Sequence, residues 1–173
     1  MVRLLLLLSL ALPFASHAIP PLPQTVADKI PGLRLAGEGR LRWLGLHIYD
    51  AALWTREGSF SVRSEFALDI RYVRNVTSKR LVKTSVKEMR RLGFANRSRL
   101  NTWADEMARV FPDIRKGDRL TGVNLPGLGA EFYHNGRLIG FVADEKFAFA
   151  FFSIWLDPRT REPGLRESLF GQR

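Results

Sequence analysis

Of the three histidines, His17 lies in an N-terminal apolar segment, and His47 and His134 each stand alone in the sequence. A catalytic triad or a metal cluster needs partners at suitable spacing, and none accompanies either residue. His134 borders Asn135-Gly136 and reads as a surface turn residue. His47 reads as packing or hydrogen-bonding within a strand. The absence of cysteine excludes disulfides, thiolate zinc sites, iron–sulfur clusters and cysteine nucleophiles. Gly37-Glu38-Gly39 lacks the third glycine of a dinucleotide fingerprint and precedes no helix, so it reads as a turn. No metal and no cofactor is expected. The remaining chemical signal is apolar: Phe147, Phe149, Phe151, Phe152 and Trp155 crowd one predicted helix. Only about half of such a set can face a core. Phe147 and Phe151 read as core, while Phe149 and Phe152 stay open between simple packing and the lining of an apolar pocket.

Helices and strands that carry these residues can be read from periodicity. With 173 residues, 46% hydrophobic and 25% charged, the chain is in the range of one globular domain with a full core. Ile19 to Pro31 holds four prolines and reads as an extended lead-in. Arg40 to Trp54 reads as a pair of strands or one long bent strand, with Gly45 as the natural bulge or kink. Phe66, Leu68, Ile70 and Tyr72 alternate with less apolar residues, the period-two mark of a strand. Thr77 or Ser78 caps a helix stopped by Gly93, and Ser98 caps a second that runs to Pro112. Arg119 to Leu125 reads as a strand, and Ala130 to Val142 as a hairpin around Asn135-Gly136. Asp144 caps the aromatic helix, Asp157-Pro158 ends it, and a short helix, Gly164 to Phe170, closes the chain. The order predicts an α+β fold, an antiparallel sheet with helices layered on one face.

The formal net charge is +10, and its surplus is local. Arg71 to Arg99 contains ten basic residues against one acid, Glu88. Lys79, Lys83, Lys87 and Arg90 form a stripe opposite the apolar face of the first long helix. Two readings stand: a solvated helix face, or a contact with an anionic membrane surface or an envelope partner. Residues 1–18 read as a secretory signal, with Arg3 as the basic start, Leu4 to Leu12 as the apolar run and Ser16-His17-Ala18 as the cleavage site. That run of nine residues, eight of them apolar, spans about half of a bilayer's hydrocarbon core. The expected mature domain is therefore 19–173, periplasmic or secreted, and export makes nucleic acid an unexpected partner.

Several runs carry a family likeness. They are Gly37-Glu38-Gly39-Arg40-Leu41-Arg42 with Tyr49-Asp50-Ala51-Ala52-Leu53, Gly117-Asp118-Arg119-Leu120 leading to Leu125-Pro126-Gly127, and Phe132-Tyr133-His134-Asn135-Gly136. The fullest is Phe151-Phe152-Ser153-Ile154-Trp155-Leu156-Asp157-Pro158-Arg159-Thr160. In these runs, which cover most of the chain in order, the sequence resembles the bacterial exported branch of the chalcone isomerase-like proteins. The resemblance implies an open-faced β-sandwich with a cleft between sheet and helices. It also implies where a catalytic tyrosine, lysine and asparagine would fall on the helix after Thr77, near Leu81, Thr84 and Glu88. None matches in type. Loss of a cation and two donors removes the electrostatic and orienting terms of the cyclisation, and Glu88 would repel a phenolate.

Fatty-acid-binding members of the fold hold the carboxylate with an arginine and a tyrosine on the first strands. By that resemblance Arg40 or Arg42 takes the arginine's role and Tyr49 the tyrosine's, provided a bulge at Gly45 brings them to one face. The expectation is a binder of a fatty acid or other small apolar ligand, with Arg40, Arg42, Tyr49, Phe149 and Phe152 as candidate site residues. The alternatives are an intramolecular lyase drawing on Tyr49, Tyr72 and Tyr133 for acid–base work, and an assembly factor of the cell envelope.

Overall fold

Six strands hydrogen-bond in sequence order into one antiparallel sheet: β1 Leu33–Trp43, β2 Leu46–Arg56, β3 Phe66–Tyr72, β4 Arg119–Leu125, β5 Gly129–His134 and β6 Arg137–Val142. The computed structural model describes residues 20–56 and 60–172, so the signal-peptide reading of 1–18 lies outside the described residues. Four helices cover one face: α2 Ser78–Leu92, α3 Arg97–Val110, α4 Glu145–Leu156 and α5 Pro163–Leu169. α4 packs on β4 and β5, α5 on β1 and β2, and α3 on β6, while α2 lies against α3 and α4. This is the α+β arrangement of an antiparallel sheet with helices layered on one face.

Strand alternation sorts the two faces. Phe66, Leu68, Ile70 and Tyr72 join Leu53, Leu120, Ala130 and Phe132 in the core under the helices. The intervening Ala67 joins Val123 and Tyr133 on the other side. α4 is the wedge, with Phe147, Ala148, Ala150, Phe151, Phe152, Ser153 and Leu156 all buried. Its start is fixed by Asp144, which accepts hydrogen bonds from the backbone N–H groups of Lys146 (2.8 Å) and Phe147 (3.1 Å) and from the Trp103 indole (2.8 Å). Burial would raise that carboxyl's pKa, but these donors and nearby Arg99 outweigh it and hold the pKa below the ordinary carboxylate value.

Four local expectations are corrected. The proline-rich lead-in contains a short helix, α1 Gln24–Lys29. Leu22, Val26 and Ile30 recur at helical spacing and bury against Ala67, Val123 and Tyr133, so part of the second face is covered too. Gly37-Glu38-Gly39 is strand rather than turn. A side chain at Gly37 would collide with the Ser168 carbonyl oxygen, and one at Gly39 would sit 2.7 Å from Leu165, so the glycines let α5 lie directly on β1. Gly45 is the corner of a two-residue hairpin, and the register shifts lie instead between Leu35 and Gly37 and between Leu41 and Arg42. Asn96, not Ser98, caps α3, accepting from the Arg99 N–H at 3.0 Å.

Candidate functional site

Where β3 and β4 run beneath α4, a groove of about 740 Å3 opens. Its walls are apolar rings set edge to face. Phe60 meets Phe66 at 5.2 Å, Phe66 meets Phe152 at 4.9 Å, and Phe94 meets Phe149 at 5.1 Å between centroids. Phe149 and Phe152 both line it, one exposed and one buried. Helical geometry explains the pair: residues three apart share a side of α4, and that side runs along the groove. Phe152 lies over Gly122, which has no side chain to displace the ring.

The groove's rim carries three cations and two carboxylates. Arg63, Lys146 and Arg166 line it, with Glu145 and Asp157. Asp157 is spoken for: it accepts from the Arg159 guanidinium at 2.9 Å, which heads the influences holding its pKa low. Glu145 accepts from the Gly127 N–H at 3.2 Å. The Arg166 guanidinium is half-buried on α5. Its Nε donates to the Leu156 carbonyl at the end of α4 (2.8 Å), and its plane lies 4.7 Å from the Phe170 ring centre. Among the described residues no carboxylate comes within ion-pair distance of it. Asn124 pins the loop beside the groove, donating to the carbonyls of Ser64 (3.0 Å) and Val62 (3.3 Å). An apolar cleft with a guanidinium at its wall that makes no ion pair among the described residues, although Asp157 on the same rim feels its charge, can take a hydrocarbon chain and neutralise an anionic end.

The first-strand residues are not brought together. Leu41 pairs with Tyr49, and Arg40 with Asp50, so Arg40 and Tyr49 point to opposite faces of the sheet. The corner at Gly45 cannot reconcile them, because it ends one strand and begins the next. Arg40 donates to Asp50 at 2.8 Å, Asp50 also contacts His47 at 2.9 Å, and Arg42 is exposed at the hairpin's end. The Tyr49 hydroxyl is buried and accepts from the Trp155 indole at 2.8 Å. None of the three lines the groove.

The tyrosines are poorly placed for proton abstraction. Burial pushes the Tyr49 phenol's pKa well up, the Trp155 bond offsetting only part. Burial raises Tyr72 as well, with Tyr49 beside it, and raises Tyr133, whose hydroxyl donates to Glu131 at 2.8 Å. All three stay protonated near neutrality and can donate but not abstract. On α2, Leu81 packs against the core and Thr84 is exposed. Glu88 is held by Arg91 (2.8 Å) and Arg161 (3.2 Å). Lys79, Lys83, Lys87 and Arg90 are exposed along that helix.

Sequence reasoning missed Arg166, Phe60 and Phe94, which reach the groove from separate loops and helices with no local signal. It also missed the buried pair on the far face, where Asp69 accepts from the Arg119 guanidinium (3.1 Å) and the Thr121 hydroxyl (2.7 Å). A lone acid in so apolar a strand was the available sign.

A family model described as chalcone isomerase-like matches residues 20–171. An uncharacterized protein of Haemophilus influenzae is 28% identical over 137 residues, covering 79% of this chain and 67% of that protein. The crystal structure of an Arabidopsis thaliana fatty-acid binding protein aligns with a TM-score of 0.61 at 11% identity, covering 81% of this chain and 87% of the other. At that identity the likeness is one of fold.

Proposed function

This chain belongs to the chalcone isomerase-like family, and on that premise we propose that it binds a fatty acid or another apolar carboxylate in the groove beneath α4. The observation that carries the reading is the combination of an aromatic groove with a half-buried guanidinium, Arg166, that makes no ion pair within 4 Å among the described residues, although its charge acts on Asp157 of the same rim. The solved relative's description as a fatty-acid binding protein supports the same ligand class. A binder rather than a catalyst is favoured by the three protonated tyrosines and by a Glu88 already paired with two arginines. The reading includes export, supported by the pattern of Arg3, the apolar run and the small residues before Ile19. Amino-terminal sequencing of the protein from its host should then begin at Ile19, and an intact Met1 would contradict it.

Native mass spectrometry of protein purified from its own host should reveal a co-purifying lipid, and calorimetry should give saturable binding of a long-chain fatty acid. Arg166→Gln should weaken that binding about tenfold, the worth of one charge-assisted hydrogen bond of ~1.5 kcal/mol. A protein with no lipid and no binding isotherm would end the proposal.

A further inference from the structure

The β1–β2 hairpin presents an apolar tip. Leu44 is 81% exposed, Trp43 55% and Leu46 50%. The turn residues Leu44 and Gly45 have φ of 49° and 77°, the two positive values that a two-residue hairpin of type I′ demands. This chain meets the same demand differently in its other tight hairpin, where Asn135 and Gly136 take φ of 49° and 81°. Asparagine tolerates the left-handed region; leucine does so only at a cost. Leu44 thus holds a disfavoured backbone while its side chain gains no contact with the core.

The strand register gathers cations at the same end of the sheet. The β1–β2 turn, the end of β3, the start of β4 and the β5–β6 turn all lie there. Arg42, Arg71, Arg74, Arg115, Lys116 and Arg137 are exposed at this end and make no ion pair among the described residues. The acids beside them are occupied: Asp50 by Arg40 and His47, Asp118 by Asn135 and His134, Asp113 by the Ser78 N–H.

We propose that this end of the molecule docks on a bilayer containing anionic lipid, with Trp43, Leu44 and Leu46 entering the headgroup–acyl boundary and the surrounding cations facing lipid phosphates. Tryptophan favours that boundary, and each cation near an anionic leaflet adds to attraction that apolar insertion makes durable. A nucleic acid would reward the cations but not Leu44. Three side chains on a narrow hairpin also fall short of the surface that a stable protein interface buries. The groove opens at the opposite end of the sheet, by Phe66 and Asn124, so ligand binding and membrane docking are separable.

The chain has no cysteine, so a single polarity-sensitive fluorophore can be placed at Leu44→Cys or, as a remote exposed control, at Leu128→Cys. Adding phosphatidylcholine vesicles that contain phosphatidylglycerol should blue-shift the label at 44 and leave the label at 128 unchanged, with less effect from phosphatidylcholine alone and at high salt. Leu44→Asn should lower vesicle affinity about tenfold, the effect of withdrawing one leucine from an apolar phase, and should raise the melting temperature by relieving the turn. Equal shifts at both positions, or none at 44, would overturn the proposal. So would a shift at 44 that grows with protein concentration without vesicles, which would make the occupant a second copy of the chain.

Discussion

Phe149 and Phe152 face the same groove, yet the structure gives them different work. Phe152 is sealed against Phe66, Phe151 and Gly122, whereas Phe149 is 45% exposed and touches Phe94. Phe152→Ala should therefore cost about 3–5 kcal/mol of stability. Phe149→Ala should cost only about 1 kcal/mol while weakening fatty-acid binding. Urea melts beside calorimetry separate the two effects, and an equal loss of stability would refute the assignment. Arg40→Ala and Arg42→Ala should each change stability by no more than about 0.5 kcal/mol and leave fatty-acid affinity as it was. A fall in affinity would move the carboxylate site back to β1. Helical spacing in the sequence sufficed to group Phe149 with Phe152. Arg40 and Tyr49 were harder, because which face each occupies depends on where the chain turns and where one residue slips out of register. Gly45 advertises flexibility without saying which of the two it provides.

Elements were legible wherever a local signal agreed with the packing. Thr77, Gly93, Asp144 and Asn135-Gly136 do in the structure what their chemistry suggests. The exceptions have tertiary causes. Gly37 and Gly39 look like turn residues because glycine usually serves turns, but here they clear space for α5, a partner about 130 positions away in sequence. Gly37→Ala would press on backbone atoms of Ser168 and Gly171 that cannot swing aside. It should lift α5, speed hydrogen exchange along Pro163–Leu169 and, by displacing Arg166, weaken ligand binding. Gly164→Ala meets no such obstacle and serves as the control. The turn before β4 carries a pH dependence of its own. The hydrogen bond from Asn135, then those from Arg115 and His134, bring the Asp118 pKa down to about 2 despite some burial. A pKa depressed by folding adds stability above the ordinary aspartate range, and that stability is lost as pH falls toward 2. Melting curves of the protein and of Asp118→Asn should therefore converge on acidification from about pH 4 to pH 2, and a constant gap would contradict this.

At the scale of the molecule, order of elements and alternation were enough to predict an antiparallel sheet with helices on one face. They could not predict what covers the other face. There α1 and the buried Asp69–Arg119–Thr121 cluster occupy the middle of the sheet, assembled from segments that only the folded register brings together. The result is a molecule with two dissimilar ends, a cationic end tipped by Leu44 and an aromatic groove beneath α4. Whether the groove holds an apolar carboxylate is decided by crystals grown with an ω-brominated fatty acid. An anomalous bromine peak should appear among Phe60, Phe66 and Phe149, with carboxylate density near Arg166. A peak on the far face beside Arg40, or no bound chain at saturating ligand, would contradict binding in the groove.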